Sequence, residues 1–181
     1  MKHLMILMVT FLSFLGAGAQ VSKVSLQASG LTCSMCSNAI NKSLKTISTV
    51  ESIEPNIKTS TFVISFKPGS AVDFDQLKKK VEDAGFFVSR LDATMQFDNV
   101  ALADDAHVKV GGNNFHILNA DQQTLTGSKT VRIIDKGFVS AKEYKKNSRL
   151  TKMDCYKTGV AATCCVKEGL PAGTRIFHVT I

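Results

Sequence analysis

Gly30-Leu31-Thr32-Cys33-Ser34-Met35-Cys36 joins two segments of different period, and that change decides the fold of the first half of the chain. Before it, Lys23 to Ala28 alternates, with Val24, Leu26 and Ala28 on one side, as a strand does. After it, Cys36, Ile40, Leu44 and Ile47 recur at helical spacing and form one apolar stripe. Val50 to Glu54 reads as a weaker strand stopped by Pro55-Asn56, and Thr61 to Phe66 as a stronger one with Phe62, Ile64 and Phe66 on one face. Pro68-Gly69 turns the chain. Asp73 is placed to cap a second helix, with Gln76 at the capping-box position and Phe74, Leu77, Val81 and Ala84 pointing inward. Gly85 supplies the left-handed stop, and Phe86 to Leu91 is a last strand. The order βαββαβ predicts an α+β, ferredoxin-like unit.

Working outward, Met1 to Ala19 has the makeup of a cleavable secretory signal: Lys2, the apolar run Leu4 to Leu15, and a small-residue site at Ala17-Gly18-Ala19. The apolar stretch is shorter than the ~20 residues a spanning helix needs. The expectation is cleavage before Gln20 and a periplasmic or secreted protein without an integral membrane segment. No Cys follows the cleavage site to take a lipid anchor. Asp92 to Ile181 changes character, with short alternating segments and Gly and Asn turns. Candidate strands are Met95 to Val100, His107 to Val110, Asn114 to Leu118, Thr130 to Ile134 and Arg175 to Ile181, with Gly111-Gly112-Asn113 a strong turn between two of them. Ser140 to Glu143 has capping-box spacing for one short helix. The expected division is a signal over 1–19, a ferredoxin-like domain over 20–92, and a small β-rich barrel or sandwich over 93–181.

The formal charge of +7 on 181 residues is moderate. An exported chain with no Trp, two Tyr and no basic-aromatic motif gives nucleic-acid binding little support. Lys42, Lys45, Lys78, Lys79 and Lys80 read as a solvated face, with docking to an acidic partner the less favoured reading. Nothing resembles a Ser-His-Asp or paired-carboxylate site, so hydrolase chemistry has no support.

The chemistry concentrates in Cys33 and Cys36. Two thiolates with a two-residue spacer between them, on a loop entering a helix, converge on one small ion, and the helix N-terminus favours the charged thiolate. Soft thiolates select copper(I), zinc or related ions over magnesium or calcium. Two ligands fall short of the four of a closed structural zinc site, and an open site suits an ion that must be passed on. The same pair also fits a plain disulfide or a redox couple. The lack of Trp, of Gly-Pro between the cysteines, and of a thioredoxin-like order of elements counts against the redox reading.

Gly30-Leu31-Thr32-Cys33-Ser34-Met35-Cys36 resembles the GMTCxxC signature of heavy-metal-associated domains. That family groups copper chaperones, the amino-terminal domains of copper-transporting ATPases and a periplasmic mercury-binding protein. The resemblance runs from Lys23 to Leu91 and includes Ile40, Leu44, Val50, Ile53 and the Ala84-Gly85-Phe86 step. Leu31 stands where the family usually has Met, and Thr49 replaces a common Gly. The resemblance implies Cys33 and Cys36 as ligands of copper(I), with zinc or mercury as other cargoes, and Phe86 as a shielding neighbour. It further implies a non-enzymatic carrier or sensor with a protein partner for transfer. The rivals are an exported thiol-disulfide oxidoreductase and an adaptor that binds through its β-rich part.

The five cysteines are an odd number, so complete intramolecular pairing is impossible. Met153, Cys155, Cys164, Cys165 and His178 gather near the end of the chain. A disulfide from Cys155 to Cys164 or Cys165 and a second metal site with His178 are both open there. His178 alternates with Phe177 and Val179 and reads as cover for a barrel edge. His107 and His116 show no ligand spacing.

Overall fold

The computed structural model describes residues 20–181 except Thr32, Lys167 and Glu168, and of Cys164 the backbone only. The expected signal, 1–19, therefore lies outside the described residues. The chain enters β1 (Val21–Ser29), α1 (Ser34–Lys45), β2 (Val50–Asn56), β3 (Thr61–Phe66), α2 (Phe74–Asp83) and β4 (Phe87–Leu102), the βαββαβ order expected. It continues through β5 (Ala106–Val110), β6 (Asn113–Ile117), β7 (Gln123–Ile133), α3 (Ala141–Asn147), α4 (Cys155–Thr158), α5 (Thr163–Val166) and β8 (Ile176–Thr180).

Local signals explain the first unit. Asp73 caps α2, its Oδ1 accepting from the Gln76 N–H at 2.8 Å. Gly85, at φ +88°, ends that helix in the left-handed region, where a side chain would be strained. Ile40, Leu44 and Ile47 of the α1 stripe and Phe74, Leu77 and Val81 of α2 are all buried. Each such side chain contributes about 1.5–3 kcal/mol by leaving water. β2 overruns the expected stop and carries Pro55 opposite Phe62. It can do so because β2 is an edge strand of the sheet, where a missing N–H breaks no ladder.

The expected boundary at residues 92–93 falls inside β4. Leu91, Ala93, Met95 and Phe97 keep one buried alternation across it, so two short expected strands are one of 16 residues. β4 pairs with β1 along one edge and with β7 along the other. The expected β-rich segment is present as β5–β8, and these strands join the same eight-stranded sheet, ordered β2-β3-β1-β4-β7-β8-β6-β5. A single apolar cluster runs from Val24 and Leu26 through Phe74 to Phe115, Phe177 and Val179. Phe74 on α2 is the hinge of that continuity, its ring meeting Phe115 at 5.9 Å and Phe177 at 5.1 Å edge to face. Two smaller clusters lie beyond it, one of Leu118, Ile134, Val139 and Tyr156 and one of Cys155, Ala161, Cys165 and Ile176. Among the described residues no helix is long and apolar enough to cross a membrane.

Candidate metal centre

Cys33 and Cys36 meet at the entrance of α1. Cys33 is the helix N-cap, in extended conformation, and its Sγ accepts from the Cys36 N–H at 3.3 Å. The two Sγ atoms lie 2.7 Å apart, one thiol sharing a proton with the other sulfur. Cys33 is exposed at the cap, and Cys36, on the helix itself, is half-buried. The hydrogen bond from Cys36, helped by backbone N–H groups, holds the Cys33 thiol below its ordinary pKa of 9.0.

Around the pair, Leu31 and Phe86 pack half-buried against the core, and Met35 stands 82% exposed with no part in that packing. Gly30, at φ +84°, turns the chain into the loop, and a Cβ there would touch the Phe86 ring at 3.9 Å. Phe86 therefore sits under the base of the thiol loop. Of the lysines expected on a solvated face, Lys79 pairs with Asp83 at 2.8 Å and Lys78 with Asp75 at 3.6 Å. Both are engaged within their own helix.

The heavy-metal-associated domain family matches residues 25–87, a span that contains both cysteines and both long helices. These residues are a heavy-metal-associated domain. Similar solved structures include a yeast copper transporter domain, studied in apo and Cu(I)-loaded states, at 30% identity over 37% of this chain and 90% of that one, TM-score 0.33. Others are the CopZ metallochaperone, at 27% identity over 37% and 98%, TM-score 0.34, and oxidized MerP from Ralstonia metallidurans, at 27% over 39% and 94%, TM-score 0.34. A search of curated proteins finds no match to the chain.

Outside the heavy-metal-associated domain, the structure rearranges what the sequence presented as scattered histidines. The Gly111-Gly112 turn folds β5 onto β6 and sets His107 opposite His116, and β8 lies parallel to β6 with His178 opposite His116. Three histidines thus form a row across three neighbouring strands. His107 stacks on His116 at 4.4 Å, and His116 meets His178 edge to face at 5.1 Å. Cys155, at the start of α4, covers the row. Its Sγ lies 3.4 Å from His178 Nε2 and 3.8 Å from His116 Nδ1. His116, His178 and Cys155 are wholly buried. Far from covering a barrel edge, His178 belongs to this interior cluster.

Each of the two buried imidazoles turns its other nitrogen to a carboxylate: His116 Nε2 is 2.9 Å from Asp105 Oδ1, and His178 Nδ1 is 2.6 Å from Asp135 Oδ1. Burial, then the neighbouring His178 and His107, pushes the His116 pKa down to about 4, so that ring is neutral at pH 7. Cys165 is buried in the same small apolar cluster as Cys155, with Met153 half-buried against it. The side chain of Cys164 lies outside the described residues. A sequence signal for half of the row existed, since a two-residue Gly111-Gly112 turn fixes which residues of β5 and β6 face each other. The pairing of β8 with β6 had none.

Proposed function

We propose that the protein is an exported carrier of a soft metal ion of the copper(I) type, held between the Cys33 and Cys36 thiolates and passed to a protein partner by ligand exchange. The observation that carries this reading is the convergence of two sulfurs on an exposed loop at a helix N-terminus, within a heavy-metal-associated domain. Similarity to a yeast copper transporter domain studied in a Cu(I)-loaded state supports copper(I) as the cargo.

Two sulfurs bound to one ion at about 2.3 Å each stand at least about 3.8 Å apart, even at a tetrahedral angle. The pair must open from its 2.7 Å separation. Cys33 can swing outward by giving up its exposed cap bond from the Cys36 N–H. Cys36 stays on the helix. Release reverses the path: partner thiolates bind the exposed ion as first Cys33 and then Cys36 detaches, and each freed sulfur takes up a proton. Phe86, half-buried against the core beside Gly30, supports the base of the loop, and exchange proceeds from the exposed side of Cys33.

The test is a copper(I) titration of the reduced protein from Gln20 onward in competition with a chelator. One tight equivalent that disappears in a folded Cys33→Ser/Cys36→Ser variant supports the carrier. Turnover of a test disulfide above the rate of free dithiol would install the oxidoreductase reading instead. Mass analysis of the protein exported from cells checks the mature start at Gln20.

A further inference from the structure

We propose that His107, His116 and Cys155, with His178 against the same sulfur, form a second, largely buried site for a borderline transition-metal cation of the zinc(II) class, distinct from the exposed Cys33–Cys36 pair. One donor atom from each of His107, His116 and Cys155 falls within 4.8 Å of the other two. His178 Nε2 approaches the same sulfur at 3.4 Å, against 3.8 Å for His116 Nδ1. Bonds of about 2.3 Å to sulfur and about 2.0 Å to nitrogen, at a tetrahedral angle, separate the two donors by about 3.5 Å. The two distances lie on either side of that length, so the sulfur and two imidazoles stand close to ligand spacing before any ion enters.

The hydrogen bonding gives a second, independent reason. Carboxylates only accept, so Asp105 holds the proton of His116 on Nε2 and Asp135 holds that of His178 on Nδ1. With both rings neutral, the lone pairs of His116 Nδ1 and His178 Nε2 face the Cys155 sulfur. A thiol has one proton and can serve only one of them, whereas a cation serves both nitrogens and the sulfur. Imidazole ligands whose far N–H is held by a carboxylate are the usual outer arrangement of a metal site. A dication here would be balanced by the Cys155 thiolate and by Asp105 and Asp135, the latter shared with Arg175 at 3.1 Å. Binding displaces the Cys155 proton to solvent.

Donor chemistry sets the class. Imidazoles grouped with one thiolate suit zinc(II), cobalt(II) or copper(II) better than magnesium or calcium. Three convergent donors, two of them wholly buried, with a third imidazole against the same sulfur, describe an enclosed site that holds its ion and adds to stability, in contrast to the open exchange site on α1. A surface cavity lined by Asp105, Arg149, Lys152, Met153 and Asp154 borders the carboxylate that holds His116.

The experiment uses the reduced protein from Gln20 onward carrying Cys33→Ser and Cys36→Ser, so that failure of the carrier reading cannot imitate failure here. Cobalt(II) titration should bind one equivalent with the visible bands of four-coordinate cobalt and a sulfur-to-cobalt charge-transfer band, and zinc(II) should bleach both. Cys155→Ser should remove the charge-transfer band. Asp105→Asn should weaken binding 10- to 100-fold, the effect of losing an outer carboxylate. If Cys155→Ser does not fold, His107→Ala, at the half-buried end of the row, should lose affinity while keeping the charge-transfer band. The proposal is overturned if the folded, reduced protein takes up no cobalt, or if these variants bind it like the parent. It is also overturned if mapping of the native protein finds Cys155 in a disulfide with Cys164 or Cys165.

Discussion

Arg175 reaches Asp75 across a hundred residues of chain, its Nε 2.8 Å and its Nη2 3.2 Å from the two carboxylate oxygens. The fork joins the first turn of α2 to the approach of β8, and its Nη1 also donates to Asp135 at 3.1 Å. One guanidinium therefore ties the helix of the heavy-metal-associated domain to the carboxylate that holds His178.

Partial burial raises the Asp75 carboxyl, but the bond and charge of Arg175, with a smaller pull from Lys78, outweigh it and leave the group below its ordinary 3.8. A depressed acid stabilises the fold above its unfolded pKa, and that contribution is lost as pH falls through the folded value. Asp75→Asn should cost about 1 kcal/mol at pH 7, a modest figure because the carboxylate is partly exposed. Urea midpoints of the two proteins should converge as pH drops below about 4. A gap unchanged at pH 2.5 would mean that Asp75 acts through packing alone.

Phe74 is fully buried and its ring contacts bridge α2 to β6 and β8. Phe74→Ala should destabilise the protein by about 3–5 kcal/mol. Because the ring links both halves of the sheet, unfolding should remain a single transition. Hydrogen exchange should accelerate in β6 as well as in α2, while an effect confined to residues 25–87 would show that the halves open independently.

Truncation after residue 92 probes the same continuity from the other side. The cut leaves β4 a few residues long, strips its β7 edge and uncovers Phe74. The fragment 20–92 should melt well below the full chain and associate through its exposed edge. Its copper(I) affinity should still match the full chain within about tenfold, since both sulfurs and their cap lie on residues it retains. Equal melting temperatures would show that the first unit is self-sufficient.

Cys33 should be the faster thiol toward iodoacetamide, being exposed and hydrogen-bonded by Cys36. Its alkylation rate should rise with pH through a midpoint below 9.0, and Cys36→Ser, which replaces the main partner, should move that midpoint up. Peptide mapping after limited alkylation reads this directly. Preferential modification of Cys36 would contradict the arrangement of the pair.

Most of the first unit was legible because its signals are local. Asp73 with Gln76, Gly85, and the stripe Ile40-Leu44-Ile47 each state an element boundary or a buried face within one or two turns of chain. The Cys33–Cys36 pair is equally local, since three residues on a loop entering a helix bring two sulfurs together wherever that helix packs. Pro55 misled because a proline's effect depends on whether its strand has a neighbour on that side, and only the sheet order shows that β2 is an edge.

By itself, then, the sequence determined the βαββαβ order, the caps, the thiol loop and the short alternating strands beyond it. Only the tertiary structure decided that Asp92-Ala93 continues a strand instead of ending a domain, since alternation is the same whether a strand stops or goes on. It alone brought His178 beside His116, 62 residues away, and set Cys155 over both. Parallel pairing of β6 with β8 is chosen by burial of Phe115, Phe177 and Val179 against Phe74 and β4. That choice is a sum over many weak long-range contacts, which no spacing along the chain records.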